Sequence, residues 1–191
     1  MSETDAPRKK NTRHHILPGD TPAEKLIERI VRVDHAGEYG AVRIYRGQLA
    51  VLGKSPSGEV IREMADKERE HLERFDALIG EHRVRPTALM PLWHVAGFAL
   101  GAATAMMGER AAMACTAAVE EVIDEHYAGQ AAALGDDEEE LRGTIERFRA
   151  DELEHRDTAI EHEAELAPGY EALSAAIKSG SRLAIWLSER F

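Results

Sequence analysis

The sequence predicts an all-α protein built as a bundle of helices. Apolar residues recur at three- and four-residue intervals through most of the chain, and no useful length shows the two-residue alternation of a strand. Hydrophobic residues make up 43% of the 191 residues, which is enough for one sizeable core. We therefore expect one helical domain over residues 21–191. It is preceded by a polar, flexible tail over residues 1–20 that lacks the apolar run of a signal peptide.

Two long helices are predicted in the first half of the chain. The first covers residues 22–50, because Thr21 is suited to cap it and Pro22 occupies the favoured first helical position. The segment GKSPSG, residues 53–58, is dense in turn formers, and residues 59–82 again place apolar side chains at helical intervals. These two helices are expected to lie antiparallel.

A strongly apolar segment follows these helices. Within residues 92–107 only His94 carries a strongly polar side chain. Sixteen helical residues span roughly 24 Å, which is less than the ~30 Å of a bilayer's hydrocarbon core, so a membrane-crossing helix is disfavoured. Two interpretations stay open for this segment: a helix buried in the core, or a helix that enters one leaflet.

Three more helices complete the prediction. A third long helix covers residues 108–134, and the acidic turn GDDEEE leads into a fourth over residues 138–166. Pro168 and Gly169 then precede a last helix that ends in RLAIWLSERF. The expected architecture is a four-helix bundle with an additional apolar helical segment and a C-terminal helix.

Charge and cysteine content exclude several classes of function. The formal net charge is −11 and the sequence pI is about 5.3, so the chain lacks the clustered cations that nucleic-acid binding needs. Cys115 is the single cysteine, which excludes an internal disulfide framework and a cysteine zinc site. These features fit a reducing, cytoplasmic setting.

The motif Glu-x-x-His occurs twice and is the first candidate for metal binding. Residues three apart are neighbours on one helix face, so Glu68 with His71, and Glu152 with His155, each present two ligands together. Nine histidines in a chain with 25 glutamates among 191 residues would give about one such pair by chance. The motif alone therefore decides little, and its placement along the chain is more informative.

Each Glu-x-x-His pair is preceded by a glutamate on the previous helix. Glu38 precedes Glu68 by 30 residues across one turn, and Glu120 precedes Glu152 by 32 residues across the other. The offset between the two halves is 82 residues for the lone glutamates and 84 for both members of the motif. This repeat indicates two antiparallel helix pairs related by pseudo-symmetry, which is the arrangement of a carboxylate-bridged di-iron site.

Four carboxylates and two imidazoles would then converge inside the bundle, where cations must compensate the buried charge. Oxygen and nitrogen ligands of this kind suit iron or manganese, and we predict two iron ions per chain. The helical phase of the surrounding apolar residues favours Glu120 over its neighbour Glu121 as the inward residue.

Other polar residues near the motifs receive different interpretations. Asp151 is either a hydrogen-bond acceptor for a ligand imidazole or an ordinary exposed aspartate. His162 lacks a glutamate three residues before it, which favours a structural or ligand-supporting role over ligation. Five glutamates are expected to face solvent: Glu70, Glu154, Glu161, Glu163 and Glu165.

Long blocks of the sequence resemble one known family. They include RVDHAGEYGAVRIYRGQLAVL, KEREHLERFDALI, AMACTAAVEEVIDEHY and DELEHRDTA, together with the apolar stretch RVRPTALMPLWHVAGFALGAATAMMG and the C-terminal LAIWLSER. Taken in this order, they resemble demethoxyubiquinone hydroxylase. The likeness covers about residues 24–191 and leaves only the N-terminal tail outside it.

The resemblance implies a ferritin-like di-iron monooxygenase of ubiquinone biosynthesis. Such an enzyme uses O2 and reducing equivalents, with NADH as a candidate source, to hydroxylate the ring of a polyprenylated methoxy-methyl-benzoquinol. The resemblance implies no catalytic residue beyond the metal ligands, and it places those ligands at the six positions that the spacing selects. They are Glu38, Glu68, His71, Glu120, Glu152 and His155.

The resemblance also bears on the substrate pocket and the location of the protein. It implies that His126 and Tyr127 lie near a quinone pocket, although both also suit ordinary positions at a bundle edge. Residues 89–107 are then interpreted as a membrane-associating apolar channel for the isoprenoid tail. We expect a peripheral protein on the cytoplasmic face of a bacterial inner membrane. Other ubiquinone-biosynthesis proteins, and a second copy of the chain, are candidate partners.

Three alternatives remain open at the level of the sequence. A related di-iron enzyme would act on a water-soluble substrate, against which the long apolar segment argues. A ferritin-type module would oxidise and store iron in shell-sized assemblies. An acidic helical interaction protein without metal would expose Glu38, Glu120 and the two motif histidines.

Overall fold

The computed structural model describes residues 23–191, and within them it shows six α-helices and two short 3-10 turns but no strand. The all-α prediction is confirmed for this part of the chain, whereas the predicted tail and the Thr21-Pro22 cap lie outside it. The turns cover Asp136–Glu138 and Ala164–Leu166. The helices are α1 (Ala23–Leu52), α2 (Gly58–Glu81), α3 (Met90–Met106), α4 (Glu109–Ala133), α5 (Glu139–Glu161) and α6 (Tyr170–Ser188).

Helices α1, α2, α4 and α5 form the bundle, and two apolar clusters fill most of its core. One cluster contains Phe75 and Phe148, and the other contains Tyr45 and Met113. On each of the four helices, residues of the two clusters lie on either side of a predicted metal ligand. The predicted ligands therefore occupy a polar layer between two apolar layers.

Helix α3 approaches α1 closely because glycines line their contact. A Cβ atom added to Gly101 would lie 1.9 Å from the carbonyl oxygen of Ile44. One added to Gly47 would lie 2.2 Å from the carbonyl oxygen of Phe98. Such distances are far inside van der Waals contact, so a larger residue at either position would force the two helices apart.

The outward face of α3 is apolar and exposed. Leu92 is 51% exposed, Val95 66% and Met106 71%. A helix with this much apolar surface in solvent is not a buried core helix, so that interpretation of the apolar segment is wrong. None of the helices in the described part of the chain is long and apolar enough to cross a membrane.

The fourth predicted helix is too long at its C-terminal end. The spacing predicts a helix to residue 166, whereas α5 ends at Glu161 and Glu163 takes a left-handed conformation with a φ of 63°. A left-handed residue cannot continue a right-handed helix, so the chain turns there. The turn packs Ala164 and Ala167 into the cluster of Tyr45 and Met113, away from the direction of a straight helix.

Candidate metal centre

Six side chains from four helices converge in the polar layer of the bundle. Helix α1 supplies one glutamate, α4 supplies another, and α2 and α5 each supply a Glu-x-x-His pair. None of the six is more than 3% exposed. They are the six residues that the spacing selects: Glu38, Glu68, His71, Glu120, Glu152 and His155.

The six side chains form two overlapping groups of donor atoms. Glu38 and His71 belong to one group, and Glu120 and His155 belong to the other. Glu68 and Glu152 belong to both. Within each group, one donor atom per residue can be chosen so that all four atoms lie within 4.8 Å of one another. This is the geometry of two adjacent cation sites that share two carboxylates.

The donor atoms face one another without satisfying each other's hydrogen-bonding capacity. His155 Nδ1 lies 3.0 Å from Glu68 Oε1, and His71 Nδ1 lies 3.3 Å from Glu152 Oε1. Both nitrogens are buried, and no group among the described residues is aligned to hydrogen-bond with them. Buried polar atoms need a partner, and a cation among them would supply one. The donor set therefore fits a metal that prefers oxygen and nitrogen ligands.

Burial and the repulsion between neighbouring carboxylates raise the pKa of Glu68, Glu120 and Glu152. Burial is the largest cause for Glu68 and for Glu120, and the charge of Glu152 raises both pKa values further. Burial would lower the pKa of His71, but the carboxylates of Glu152 and Glu38 outweigh it and raise that pKa to about 11. In the metal-free chain, protons therefore replace part of the positive charge that cations would bring.

Asp151 supports one of the imidazoles. With Nδ1 of His71 directed at the cluster, its Nε2 donates a hydrogen bond to Asp151 Oδ2 at 3.1 Å. The other oxygen, Oδ1, lies 3.4 Å from Lys67 Nζ. Of the two interpretations of Asp151, the hydrogen-bond acceptor is confirmed. Such a partner fixes the tautomer and the orientation of a ligating ring.

Two buried tyrosines hold the lone glutamates. Tyr45 donates a hydrogen bond to Glu120 Oε1 at 2.9 Å, and Tyr127 donates one to Glu38 Oε1. Each tyrosine lies seven residues after the lone glutamate of its own helix and contacts that of the other half. Tyr45 was not among the residues predicted from the sequence. The signal was present, because the 82-residue offset between Glu38 and Glu120 also relates the two tyrosines.

A second buried polar group lies beside Tyr127. Gln130 Nε2 donates a hydrogen bond to Asp34 Oδ1 at 2.7 Å, and His126 Nε2 lies 3.5 Å from the same oxygen. Burial raises the pKa of Asp34, which is 3% exposed. Neither Asp34 nor Gln130 was identified from the sequence, because neither belongs to a motif with ligand spacing.

An apolar cavity lies beside the polar layer, on the side of α3 and α6. It has a volume of about 310 Å³ and lies among α1, α3, α4 and α6. A smaller cavity of about 20 Å³ lies beside Glu38 and Glu120, and both His126 and Tyr127 line it. The two cavities are adjacent because six residues line both: Val33, Gly37, Ala41, Val119, Ile123 and Ile185.

The remaining polar residues divide largely as their helical phase predicts. Glu121 faces away from the polar layer and accepts a hydrogen bond from Lys178 Nζ at 2.7 Å. His162 is exposed and lies outside the polar layer, so the predicted ligand-supporting role is wrong, whereas its backbone N–H caps the C-terminal end of α5 as a structural role allows. The five glutamates predicted to face solvent are all exposed: Glu70, Glu154, Glu161, Glu163 and Glu165.

The fold and the site together define a class of protein. The chain is a ferritin-like bundle of four helices that carries a pseudo-symmetric set of four glutamates and two histidines able to hold metal. An apolar cavity beside this set provides room for an organic molecule.

Comparison with known proteins narrows this class. The chain belongs to the family described as ubiquinone biosynthesis protein COQ7, which matches residues 25–188. It is 57% identical over 182 residues to the 3-demethoxyubiquinol 3-hydroxylase of Rhodospirillum rubrum, covering 95% of this chain and 86% of the relative. It is 54% identical over 175 residues to the human mitochondrial NADPH-dependent 3-demethoxyubiquinone 3-hydroxylase, covering 90% and 81% of the two chains. The resemblance seen in the sequence is confirmed, as is the prediction of an enzyme of the monooxygenase class.

The metal-free protein is expected to lose stability as the pH rises from 4.5 toward about 11. Folding raises the pKa of Glu68 and Glu120, so their contribution to stability is full below the unfolded value of 4.5 and is lost as the pH rises through the folded value. His71 acts in the same direction, with its contribution full below 6.5 and lost toward about 11. Urea unfolding of metal-free protein at several pH values measures this slope.

A pair of variants isolates the contribution of the cluster to that slope. Glu68→Gln removes one titrating group and is expected to reduce the slope by up to about 1.4 kcal/mol per pH unit. Glu70→Gln changes an exposed position on the same helix and is expected to leave the slope unchanged. A wild-type slope of opposite sign, or equal slopes for the two variants, contradicts these electrostatics.

Proposed function

We propose that the chain is a di-iron monooxygenase that hydroxylates the ring of demethoxyubiquinol, or of the corresponding quinone, in ubiquinone biosynthesis. The observation that carries the proposal is the set of six glutamate and histidine donors beside an apolar cavity. The substrate is inferred from the relatives, whose names specify hydroxylation of demethoxyubiquinol or demethoxyubiquinone. O2 is inferred as the oxidant from the chemistry that carboxylate-bridged iron supports.

The six donors would divide between two iron ions. Glu38 and His71 would bind one ion, and Glu120 and His155 the other, because each pair belongs to a single donor group. Glu68 and Glu152 would be available to hold either ion, because they belong to both groups. Iron bound in this way would supply the reduction of O2 and the insertion of one oxygen atom into the substrate ring.

The protein's own side chains would position the reacting partners. The hydrogen bonds from Tyr45 and Tyr127 each hold one oxygen of a lone glutamate, which leaves the other oxygen for metal. We place the substrate ring at the junction of the two cavities, where His126 offers a polar contact among apolar walls. These walls exclude water, so that reducing equivalents are used on the substrate rather than lost.

The proposed reaction needs a source of electrons. Hydroxylation of a C–H bond by O2, with the second oxygen atom leaving as water, consumes two electrons and two protons. The human relative is named as NADPH-dependent, so we propose a reduced nicotinamide as the donor, with NADH as the alternative. The sequence has no G-x-G-x-x-G motif, and we propose that electrons reach the metal site through the bound quinone.

We propose that the exposed apolar faces of α3 and α6 rest on one leaflet of a membrane. Leu92 and Val95 on α3 and Leu183 on α6 are each more than half exposed, and Trp186 is 48% exposed. The larger cavity lies between these two helices, so a polyprenyl tail could pass from lipid into the protein without crossing water. This supports a peripheral protein at the inner membrane. Contacts with other ubiquinone-biosynthesis proteins, or with a second copy, stay predictions.

Removing a ligand is expected to abolish hydroxylation without unfolding the bundle. Glu152→Ala deletes a donor common to both groups, and His155→Ala deletes one imidazole. Product analysis with reconstituted iron, O2, NADPH and a demethoxyubiquinone analogue measures the activity, and circular dichroism measures the helicity. Glu154→Ala, exposed on the same helix, is the matched control and is expected to keep both.

Two results would contradict this assignment. One is normal formation of the hydroxylated product by Glu152→Ala or His155→Ala. The other is an iron content below about one ion per wild-type chain after anaerobic reconstitution, since the arrangement of donors predicts two. Formation of shell-sized assemblies that oxidise iron without any organic substrate would instead favour the storage alternative.

Filling the larger cavity is expected to slow the reaction while iron binding persists. Gly40 lines this cavity, and a Cβ atom added to it would meet no other atom within 4 Å. Gly40→Leu is therefore expected to lower kcat/KM by about tenfold or more by occupying the space of the substrate. Gly143→Leu is the matched control, because Gly143 is equally free of neighbours but lies outside the cavity. Equal kcat/KM values for the two variants would show that the substrate uses another route.

A charge on the outward face of α3 is expected to impair the access of a substrate held in lipid. It should not impair the access of a substrate in solution. Val95→Asp should weaken sedimentation with lipid vesicles by about tenfold and slow turnover of a long-tailed substrate held in them. Turnover of a short-tailed analogue in solution should not change, because Val95 does not line the cavity. Ala150→Asp, exposed on α5, is the control. Unchanged vesicle binding by Val95→Asp refutes the proposed membrane face.

A further inference from the structure

The two halves of the donor set match in their ligands but differ in what supports those ligands. An offset of 84 residues relates Glu68 to Glu152 and His71 to His155. The same offset relates Lys67 to Asp151, the residues that precede the two motif glutamates. A carboxylate in one half therefore stands opposite an ammonium group in the other.

The His71 half holds its imidazole in one orientation. Nε2 donates to Asp151 Oδ2 at 3.1 Å, so that an ion which displaces the proton from Nδ1 meets a lone pair directed at the donor cluster. The His71 ring also stacks on Phe148, with ring centroids 3.9 Å apart and planes inclined by 24°. Both contacts restrict rotation of the ring, and the carboxylate makes Nδ1 a stronger ligand for a metal ion.

The His155 half lacks such a partner. Lys67 occupies the position equivalent to Asp151, and an ammonium group has no lone pair to accept a proton. Its Nζ lies 2.8 Å from Glu154 Oε2 and 3.4 Å from Asp151 Oδ1. Nε2 of His155 is buried, and no described residue hydrogen-bonds to it. The nearby Tyr45 ring lies edge-on with its centroid 6.3 Å from that of His155.

The contacts to the lone glutamates do not offset this difference. Tyr127 donates to Glu38 and Tyr45 donates to Glu120, so each half has one phenol on its terminal carboxylate. The other two glutamates are common to both donor groups. The imidazole support is therefore the main contrast between the halves.

We propose that the two metal positions are unequal, and that the position of Glu38 and His71 binds its ion first and more tightly than that of Glu120 and His155. The inference rests on the proposed function only in requiring that the six residues bind two ions. The Glu120 and His155 position is then the one from which an ion is lost first when metal is scarce. Asp151 is the positioning residue that creates the difference.

Stepwise binding of cobalt(II) to the full-length metal-free protein tests the proposal. Anaerobic calorimetry of the wild type is expected to show two steps with Kd values at least about tenfold apart. Glu120→Gln weakens the His155 position and Glu38→Gln weakens the His71 position, so that each variant reports mainly on one site. The site that remains in Glu120→Gln is expected to bind cobalt(II) more tightly than the site that remains in Glu38→Gln.

Substitution of Asp151 then assigns the cause. Adding Asp151→Asn to Glu120→Gln is expected to weaken the remaining site by about 10- to 100-fold. Adding Asp151→Asn to Glu38→Gln is expected to leave the Kd of the remaining site nearly unchanged. Glu154→Gln is the matched control, because Glu154 shares the contact with Lys67 but touches neither histidine. Visible absorption of bound cobalt follows occupancy independently of enzyme activity.

The outcomes separate this inference from the proposed function. Two equal steps in the wild type, or equal Kd values for Glu38→Gln and Glu120→Gln, overturn the inequality while leaving the metal site in place. Equal effects of Asp151→Asn in the two backgrounds overturn the role of Asp151. No cobalt binding by the wild type contradicts the proposed metal site itself. If Asp151→Asn does not fold, comparison of the two single-site variants still tests the inequality.

Discussion

A layer of four carboxylates inside a helical bundle is the constraint on which the rest of this structure depends. A buried carboxylate without compensation costs several kcal/mol of folding free energy. The protein itself brings only two imidazoles against four acids. The layer is stable only with added positive charge, which protons supply in part and metal ions supply more fully. The bundle therefore has to present all six donors at one height.

The apolar surroundings follow from that constraint. Clusters containing Phe75 and Phe148 on one side, and Tyr45 and Met113 on the other, close the layer at both ends. Tyr45 also reaches into the layer through its hydroxyl group, so one side chain serves both packing and ligand orientation. Apolar side chains on both sides of the donors restrict their relaxation outward to water.

Access to the layer depends on how α3 packs. Because Gly47 and Gly101 let the backbones of α1 and α3 meet, α3 covers the bundle without filling the space beside α6. That space is the larger cavity, and part of its apolar lining also lines the smaller cavity beside Glu38 and Glu120. The same packing leaves Val95 in solvent. The apolar cavity and the apolar outer face thus have a common structural origin.

The sequence by itself determined the helical class and the six inward donors. The helical class is encoded in the local periodicity of apolar residues. The donors are encoded in two spacings: Glu68 and His71 lie three residues apart on one helix face, and an offset of 82 to 84 residues relates the two halves. It left Asp151 open between a hydrogen-bond acceptor for an imidazole and an exposed aspartate, and the contact with His71 decided between them.

Tertiary structure alone decided the contacts across helices that no motif or repeat had marked. The hydrogen bond between Gln130 and Asp34 joins positions 96 residues apart, and no local sequence pattern predicts such a contact. The end of α5 depends on burying Ala164 against other helices, which overrides a periodicity that continues to residue 166. The sequence did not determine whether the outward face of α3 is buried or exposed, because an apolar segment has the same composition whether protein or lipid covers it.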